Sequence, residues 1–530
     1  MTADEESPFL QSQSPPTPGS PVSDLERRRK SDRANKLVIY GSFVGVFLAS
    51  ADESLVISTW SSIASQFNRL SQGSWLLVAY NFGYCVSLPV YGTLSDAYGR
   101  KNVLLWAYFL FALGCLACGA SGSLIQLILA RVLAGISGGG MVALVSIIIT
   151  DLMPSNEVAL FRGYANVVNV AGRSLGAPVG GFLIATLGWR WAFLGQLPLI
   201  IICIAVAYYG LPSSLNQSKT GRDQDNSRSR ASDLDYGGII SLATAILILL
   251  FLIQSLSMAY DQPGLPYILA SAFAIAITVF VLTEAYWARK PLIPLSLLKS
   301  SLGGYCVGQL LLITGRSALS SNMVPYFVRI EKVTDFLASF TYVVTAVGVS
   351  VGGLISGAII NRTKQYKTMT VIAVVSTVLL SILIFIRYRD GCYTWELIYL
   401  FPSGLSNGIL FSTQFIGMSL AAPKERLATS IGIYYLSQQL GFIIGPAASV
   451  AVVQRLFANR LLGSLEGLEE KQCIGKIIND LRYSESLPER LQSIVRSSYL
   501  YGFQFVPLLG TVSTLIMLPI VLLQKERRIE

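Results

Sequence analysis

The sequence contains no histidine, and aspartate, glutamate, lysine and arginine together make up only 13% of its 530 residues. Histidine is the side chain whose ordinary pKa lies nearest to neutral pH, so any proton binding inside this protein has to use carboxylates. The lack of histidine and of a cysteine cluster argues against a catalytic metal site. A phosphate loop of the form Gly-x-x-x-x-Gly-Lys-Ser/Thr is also missing, so we expect no direct use of ATP, no cofactor and no enzymatic activity.

Hydrophobic residues, in contrast, make up 52% of the chain. They are concentrated in runs of about twenty residues, which is the length of one helical membrane crossing. The runs predict an all-α polytopic protein embedded in the lipid bilayer. Fourteen transmembrane helices are predicted, near residues 37–58, 74–94, 103–120, 123–150, 164–186, 191–211, 235–256, 266–287, 303–328, 336–360, 368–387, 395–415, 428–453 and 499–523.

The net charge of +10 does not indicate a nucleic-acid partner, because the basic residues lie in short loops between the apolar runs. Lysine and arginine favour the cytosolic side of a membrane. On the side that carries both termini there are 24 of them, against six in the short opposite loops. Both termini are therefore predicted to be cytosolic, and no nucleic acid is expected to bind.

The predicted spans divide the chain into two six-helix bundles with two additional spans between them. The expected parts are a disordered, Ser- and Pro-rich cytosolic tail at 1–35, a first bundle at 36–211, a cytosolic linker at 212–234, the additional spans at 235–287, a second bundle at 288–523 that includes a lumenal loop at 453–498, and a cytosolic tail at 524–530. We expect a monomer without a cleaved signal peptide. Cys392 and Cys473 fall in the same predicted compartment, so a disulfide between them is an open alternative.

A ten-residue segment between the second and third runs reads Gly92-Thr93-Leu94-Ser95-Asp96-Ala97-Tyr98-Gly99-Arg100-Lys101. Gly92 is expected to let a neighbouring helix approach closely, and Gly99 to permit a tight turn. Asp96 can bind free N–H groups at a helix N-terminus, while Arg100 and Lys101 hold the loop on the cytosolic side. An ordinary charged turn is the alternative. The spacing resembles the loop between helices 2 and 3 of the major facilitator superfamily, which implies transport by alternating access between two helical bundles.

The second half of the chain contains a degenerate copy of this segment. Gly353 and Gly357 precede Asn361-Arg362-Thr363-Lys364, at the matching place but without the aspartate. The copy is consistent with an internal repeat of two six-span halves, as the family resemblance implies.

Arg131 lies within the fourth run and is followed by Gly135, Gly138, Gly139 and Gly140. A charged residue at membrane depth indicates a functional site, and the glycines allow close helix approach. The pattern resembles a second superfamily motif, which implies that Arg131 serves gating and the charge network around Asp96. A structural arginine that snorkels is the alternative.

The fifth run contains a series of small residues around a proline: Gly172, Gly176, Pro178, Gly180 and Gly181. It resembles the motif of proton antiporters in the superfamily, although the proline is displaced by one residue from the family's Gly-Pro pattern. The proline is expected to bend the helix. The thirteenth run carries a partner, Gly441-Phe442-Ile443-Ile444-Gly445-Pro446, as an internal repeat would require.

Asp52 and Glu53 interrupt the first apolar run. An aspartate alone costs about 2.5–3.5 kcal/mol at the bilayer centre, and adjacent helix positions point about 100° apart. One acid is therefore expected to face a central cavity and the other a neighbouring helix; a purely structural pair is the alternative. This run resembles that of the fourteen-span drug:proton antiporter subfamily. The extra glutamate and the segment Tyr80-Asn81-Phe82-Gly83-Tyr84 resemble the fungal vacuolar basic amino acid transporters.

Further polar residues lie at membrane depth. Asn166, Asn169 and Arg173 form one stripe along the fifth run, and Arg173 could bind a substrate carboxylate or pair with Asp52 or Glu53. Other candidates either line a cavity or join helices: Gln309, Arg316, Asn322, Asn407, Gln414 and Gln438.

The resemblance implies a proton-coupled antiporter that moves basic amino acids (lysine, arginine and histidine) from the cytosol into the vacuole. Asp52 is predicted to couple transport to protons, and Glu53 to bind the cationic group of the substrate. Asn81, Asn166, Asn169 and Arg173 complete the predicted site. The alternative is a plasma-membrane antiporter that expels drugs or toxins. A membrane sensor would need a large folded cytosolic domain, for which the sequence has no candidate segment.

Overall fold

The computed structural model describes residues 21–153, 155–216, 235–257, 264–287, 295–423, 427–464, 474–480 and 483–526. Within these ranges every regular element is helical, and no strand occurs. The predicted all-α fold class is therefore confirmed for the described part of the chain.

The helices are numbered here in chain order. The first part of the chain forms α1 (Pro21–Gln66), α2 (Ser74–Tyr98), α3 (Arg100–Ala120), α4 (Leu124–Leu152), α5 (Ser155–Thr186), α6 (Trp189–Leu194) and α7 (Leu197–Gly210). Two helices follow, α8 (Tyr236–Ser257) and α9 (Leu265–Leu282). The second part forms α10 (Leu295–Leu298), α11 (Ser301–Ile330), α12 (Asp335–Thr363), α13 (Lys367–Tyr388), α14 (Leu400–Ala421), α15 (Leu427–Ser464), α16 (Ile474–Asn479), α17 (Glu489–Phe503) and α18 (Phe505–Leu523).

Eleven helical stretches in the described ranges are long and apolar enough to cross a membrane. Three more helices coincide with predicted spans, namely α2, α11 and α14, with 25, 30 and 22 residues. Polar residues such as Gln309 and Arg316 make α11 less apolar. Eleven spans thus meet the length and hydropathy expected of a membrane helix, and the total of fourteen stays a prediction.

Two predicted non-membrane segments contain helix in the structure. The tail expected to be disordered up to residue 35 is helical from Pro21 onward. Proline is favoured in the first turn of a helix, and the leucine, glutamate, arginine and lysine residues that follow have high helix propensity. Residues 1–20 lie outside the described part of the structure.

The predicted lumenal loop at 453–498 is also partly helical. Helix α15 continues to Ser464, because Val453, Phe457 and Leu461 recur every four residues and bury one face of the extension. Helix α17 covers residues 489–503. This segment lies outside the predicted membrane spans, and no amphipathic helix was predicted in it.

The two halves of the chain pack their helices in the same pattern. In the first half α1 packs against α5 and α2 against α4, and in the second α11 packs against α15 and α12 against α14. The residues that meet along α1 and α5 are also equivalent to those that meet along α11 and α15. A Cβ atom on Gly172 would meet Phe47 O at 2.6 Å, and one on Gly441 would meet Leu310 O at 2.9 Å. The Ser54 hydroxyl donates to Gly172 O, and the Ser317 hydroxyl donates to Gly441 O.

The turn that follows the second helix of each half is repeated as well. Gly99 has φ of 91° and Lys364 has φ of 57°, and each residue caps its helix. Gly99 is required for a further reason, because its Cβ would approach Asn216 Cα to 2.7 Å. The predicted tight turn at Gly99 and the predicted internal repeat both agree with this geometry.

The two halves meet at the end of the bundle that is opposite the Gly99 turn, which is called the distal end below. The Trp60 indole donates to Ser321 O at 3.0 Å, and the Ser65 hydroxyl donates to the Asp480 carboxylate at 2.8 Å. One apolar cluster there contains Ile63 from the first half and Phe327 from the second. The distal end is therefore closed in this conformation.

Candidate functional site

Asp52 on α1 is held in a buried ion pair. Its carboxylate binds the guanidinium of Arg131 on α4 and accepts a hydrogen bond of 2.9 Å from the Gln196 side-chain amide. The guanidinium also lies over the ring of Tyr80, 4.6 Å from its centre, and near Phe193. Asp52 and Arg131 are each 1% exposed. Asp52 therefore faces neighbouring helices of the first half.

The expected role of Arg131 around Asp96 stays a prediction. Arg131 was expected in the charge network around Asp96, but its guanidinium pairs with Asp52 at the middle of the first half. An arginine at membrane depth lowers its cost by pairing with the nearest buried acid, and here that acid is on α1. The Asp96 side chain lies outside the described residues.

Glu53, the next residue, faces a different environment. One carboxylate oxygen binds Arg173 on α5 at 3.0 Å, and the other oxygen is buried without a hydrogen-bond partner in the described residues. The Arg173 guanidinium stacks on the ring of Phe442, which belongs to α15 in the second half, 4.9 Å from the ring centre. Arg173 has 26% of its side chain exposed. Glu53 and Arg173 therefore lie where the halves meet.

The second half contributes an arginine to the same region. Arg316 on α11 lies over the ring of Phe411 at 5.1 Å. It is close enough to Arg173 and Glu53 for electrostatic interaction with both, and also to Tyr342 on α12. The sequence analysis identified Arg316 as a cavity or packing residue, and the structure brings it to the interface between the halves.

The remaining predicted polar residues are distributed around this region. Asn81 on α2 is buried, donates to Leu77 O at 3.3 Å and leaves its side-chain oxygen without a partner in the described residues. Asn169 is half-buried on α5, and the Asn166 side chain lies outside the described part of the chain. The Asn166–Arg173 stripe is thus described at two of its three positions.

Several amides of the second half join helices. The Gln309 amide donates to Gln438 at 3.0 Å and accepts from the Tyr434 hydroxyl at 2.7 Å, which links α11 to α15. Asn322 donates to the Ser449 hydroxyl at 2.9 Å across the same pair of helices. For Gln309, Gln438 and Asn322 the helix-joining alternative is thus the one observed.

Gln414 and Asn407 on α14 remain candidates for a cavity lining. Each is buried with its side-chain oxygen unpartnered among the described residues.

The glycines of the fifth span serve close packing. A Cβ atom on Gly176 would overlap Ala51 O and Ser54 Oγ, and one on Gly180 would reach Leu55 Cγ at 2.9 Å. A Cβ atom on Gly181 would lie 2.8 Å from Asp335 O of α12. Pro178 lies inside a helix that continues to Thr186. The motif therefore packs α5 against α1 on one side and against the second half on the other.

The segment after α2 is anchored by its basic residues. The Arg100 guanidinium binds the Asp151 carboxylate at the end of α4 at 3.0 Å. The Lys101 ammonium donates to Tyr208 O and Leu211 O, at 2.7 and 2.8 Å, and so caps the end of α7. A Cβ atom on Gly92, however, would meet nothing within 4 Å. Among the residues that the structure describes, none approaches Gly92 closely in this conformation.

Two residues that the sequence analysis did not single out complete these networks, Gln196 and Asp151. Gln196 lies in the break between α6 and α7. The sequence feature that could have identified it is a single amide side chain within the sixth apolar run. Asp151 follows an apolar run as an ordinary loop residue would. Cys473 lies outside the described residues, while Cys392 is buried and burial raises its thiol pKa to about 12.

Comparison with known families accounts for this arrangement. The model of the Major Facilitator Superfamily matches residues 42–446. The chain belongs to the major facilitator superfamily. It is therefore a multi-pass membrane transporter of small molecules and not an enzyme, as the motifs predicted.

Three curated relatives are similar over most of their length. The Vacuolar membrane amino acid uptake transporter fnx2 of Schizosaccharomyces pombe is 31% identical, over 88% of this chain and 81% of the relative. The Vacuolar basic amino acid transporter 2 of Saccharomyces cerevisiae is 28% identical, over 82% and 93%. The Multidrug resistance protein fnx1 of Schizosaccharomyces pombe is 30% identical, over 91% of each chain.

A solved structure has the same fold. It is a bacterial homologue of the human lysosomal transporter Spinster, with a TM-score of 0.61, 15% identity, and coverage of 93% of this chain and 97% of the other. The transporter fold predicted for this chain is thereby confirmed.

Proposed function

We propose that this protein is a proton-coupled antiporter that moves basic amino acids (lysine, arginine and histidine) from the cytosol into the vacuole by alternating access. The observation that carries the proposal is Glu53, a buried carboxylate at the junction of the two halves with one oxygen unpartnered among the described residues. The relatives with vacuolar names support the substrate class and the compartment.

Glu53 is the proposed partner of the substrate's cationic group. Its free oxygen can accept a charge-assisted hydrogen bond from an ammonium or guanidinium group. Arg173 binds the other carboxylate oxygen of Glu53 at 3.0 Å. A cationic substrate would then compete with Arg173 for the same carboxylate.

Asp52 is the proposed coupling acid. It lies next to Glu53 in the chain, but its ion pair with Arg131 keeps it within the first half. Protonation of Asp52 would break this pair and leave the buried Arg131 guanidinium without its counter-ion. Coupled transport requires two conformations whose relative populations depend on the binding of a proton.

Alternating access is supported by the contrast between the two ends of the bundle. The distal end is closed by contacts between the halves, while a Cβ atom on Gly92 would meet no described residue within 4 Å. We propose that the Gly92 segment closes against the second half when the distal end opens. The distal end would face the lumen, with both termini in the cytosol.

The experiment is uptake of labelled lysine, arginine and histidine into vacuolar vesicles that contain the protein, with and without an imposed pH gradient. Gradient-dependent uptake of lysine or arginine is the expected result. Vesicles that take up none of the three under an acidic lumen would contradict the proposal.

The second candidate function is efflux of drugs or toxins at the plasma membrane, which the similarity to a multidrug resistance protein favours. Such a transporter needs a wide apolar pocket, whereas the region around Glu53 contains two arginines and several tyrosines. The same vesicles supplied with a panel of cationic drugs distinguish the two functions.

A further inference from the structure

Arg316 is an arginine at membrane depth that forms no ion pair with any described residue, although Glu53 interacts with it electrostatically. Among the described residues it makes no hydrogen bond and no ion pair, and its guanidinium lies over the face of Phe411. The side chain is half-buried. A charge held in this way costs several kcal/mol unless it is paired, so the position indicates a partner that comes from outside the chain.

The internal repeat places Arg316 opposite Glu53. Gly176 packs against Ala51 O and Ser54 Oγ, and Gly445 packs in the same way against Thr314 O and Ser317 Oγ. Glu53 comes directly before Ser54, and Arg316 directly before Ser317. The two residues therefore occupy equivalent positions on equivalent helices, and both face the junction of the halves.

A second equivalent pair confirms where this junction lies. Arg173 follows Gly172 on α5, and Phe442 follows Gly441 on α15, and these two glycines are equivalent in the repeat. Arg173 and Phe442 stack on one another, with 4.9 Å between the guanidinium and the ring centre. Equivalent residues that touch each other must lie next to the pseudo-twofold axis.

Among the described residues, the junction therefore presents one carboxylate oxygen without a hydrogen-bond partner and one guanidinium without an ion pair. The carboxylate oxygen of Glu53 comes from the first half, and the guanidinium of Arg316 comes from the second. An amino acid has the complementary pair, an ammonium group and a carboxylate on one carbon. Arginine is suited to a carboxylate because it donates two parallel hydrogen bonds.

We propose that Arg316 binds the carboxylate of the transported amino acid, and that Glu53 binds a cationic group of the same molecule from the facing half. This rests on the proposed function in so far as the substrate is an amino acid. One substrate would then bridge the two halves, and the site selects compounds that carry a carboxylate. Cationic compounds without one leave Arg316 unpaired and bind weakly.

The test compares lysine with lysinamide, in which a neutral amide replaces the carboxylate. Binding of each to the purified protein, and uptake of each into vesicles, are measured for the wild type, Arg316→Gln and Arg316→Lys. The control is Arg362→Gln, which makes the same change at an exposed arginine on α12.

The wild type is expected to bind lysine about 10- to 100-fold more tightly than lysinamide, the range for a hydrogen bond to a charged group. Arg316→Gln should remove this preference by weakening lysine binding alone. Arg316→Lys should restore part of it, since a lysine keeps the charge but not the two-pronged geometry. Arg362→Gln should bind as the wild type does.

Three results would overturn the inference: equal binding of the acid and the amide by the wild type, an equal loss of both in Arg316→Gln, or a preference unchanged in that variant. The proposed function fails separately. If the wild type moves no basic amino acid but takes up another amino acid in an Arg316-dependent way, the basic specificity is wrong while the carboxylate site stands. Transport restricted to drugs without a carboxylate contradicts both.

Discussion

At the positions of the ion pair Asp52–Arg131 in the first half, the second half has Gly315 and Leu400. The equivalence follows from the shared packing, in which Gly83 lies against Val132 O and Gly348 lies against Phe401 O. The backbones are matched, but the first half has a buried charge pair where the second has a glycine and a leucine. Backbone packing is thus repeated, while at these two positions only the first half has ionisable side chains.

The comparison also explains why two adjacent acids have different surroundings. Asp52 faces α4 and the α6–α7 break inside its own half, and both of its oxygens are bound. Glu53 points toward the second half, where its equivalent is Arg316. Asp52 therefore belongs to a hydrogen-bonded network within the first half. The adjacent Glu53 belongs to a site between the halves, where one of its oxygens has no hydrogen-bond partner among the described residues.

The largest expected effect comes from Arg131→Gln, which leaves the Asp52 carboxylate buried without its cation. Loss of one partner of a buried pair costs about 3–5 kcal/mol of stability, so we expect a lower thermal unfolding temperature in detergent and no transport. The double variant with Asp52→Asn should recover most of the unfolding temperature. An unchanged unfolding temperature in the single variant would show that the pair does not stabilise the first half.

Asp52→Asn should abolish uptake driven by a pH gradient but leave counterflow exchange of preloaded lysine, because the amide can neither bind nor release a proton. The measurement is vesicle uptake over a range of lumenal pH. Asp390→Asn, at an exposed position of the distal end, is the matched control and should transport normally. Gradient-driven uptake by the Asp52 variant at the wild-type rate would remove Asp52 from the coupling role.

Glu53→Gln should weaken lysine binding about tenfold or more, since a hydrogen bond between charged groups becomes one to a neutral amide. Binding of lysine to the purified protein measures this directly. Asp52→Asn leaves Arg131 without its anion and should lower the unfolding temperature, but the folded variant should bind lysine nearly as the wild type does. This contrast distinguishes the two acids. Equal losses of affinity in both variants would contradict the separate roles proposed for them.

The smallest effect concerns the packing that both halves share. Gly176→Ala and Gly445→Ala place a methyl group against neighbouring backbone oxygens, and each should cost about 1–3 kcal/mol. Gly357→Ala adds the same atom where nothing lies within 4 Å and should be neutral. The measurement is the thermal unfolding temperature of the three purified variants. Similar unfolding temperatures for all three would mean that the helix packing does not require glycine at positions 176 and 445.

Much of this architecture could be predicted because it depends on local signals. The length and hydropathy of each run predict the helices, and the glycine turn at Gly99 has the positive φ that its motif requires. The boundaries at Pro21 and Ser464 were missed, since a charged or amphipathic helix outside the membrane has no hydropathy signal of that kind. The repeat in the second half could be read from Gly357 and Lys364 despite the missing aspartate.

The candidate site was predicted only in its composition. The sequence by itself identified Asp52, Glu53, Arg131 and Arg173, because a charged residue in an apolar run stands out wherever it is. Only the tertiary structure decided how they pair. The partners of Asp52 lie 79 and 144 positions away in the chain, and the meeting of Arg173 with Phe442 depends on how two halves dock. Hydropathy and spacing act over a few helical turns, whereas pairing depends on the close approach of helices that the glycines permit.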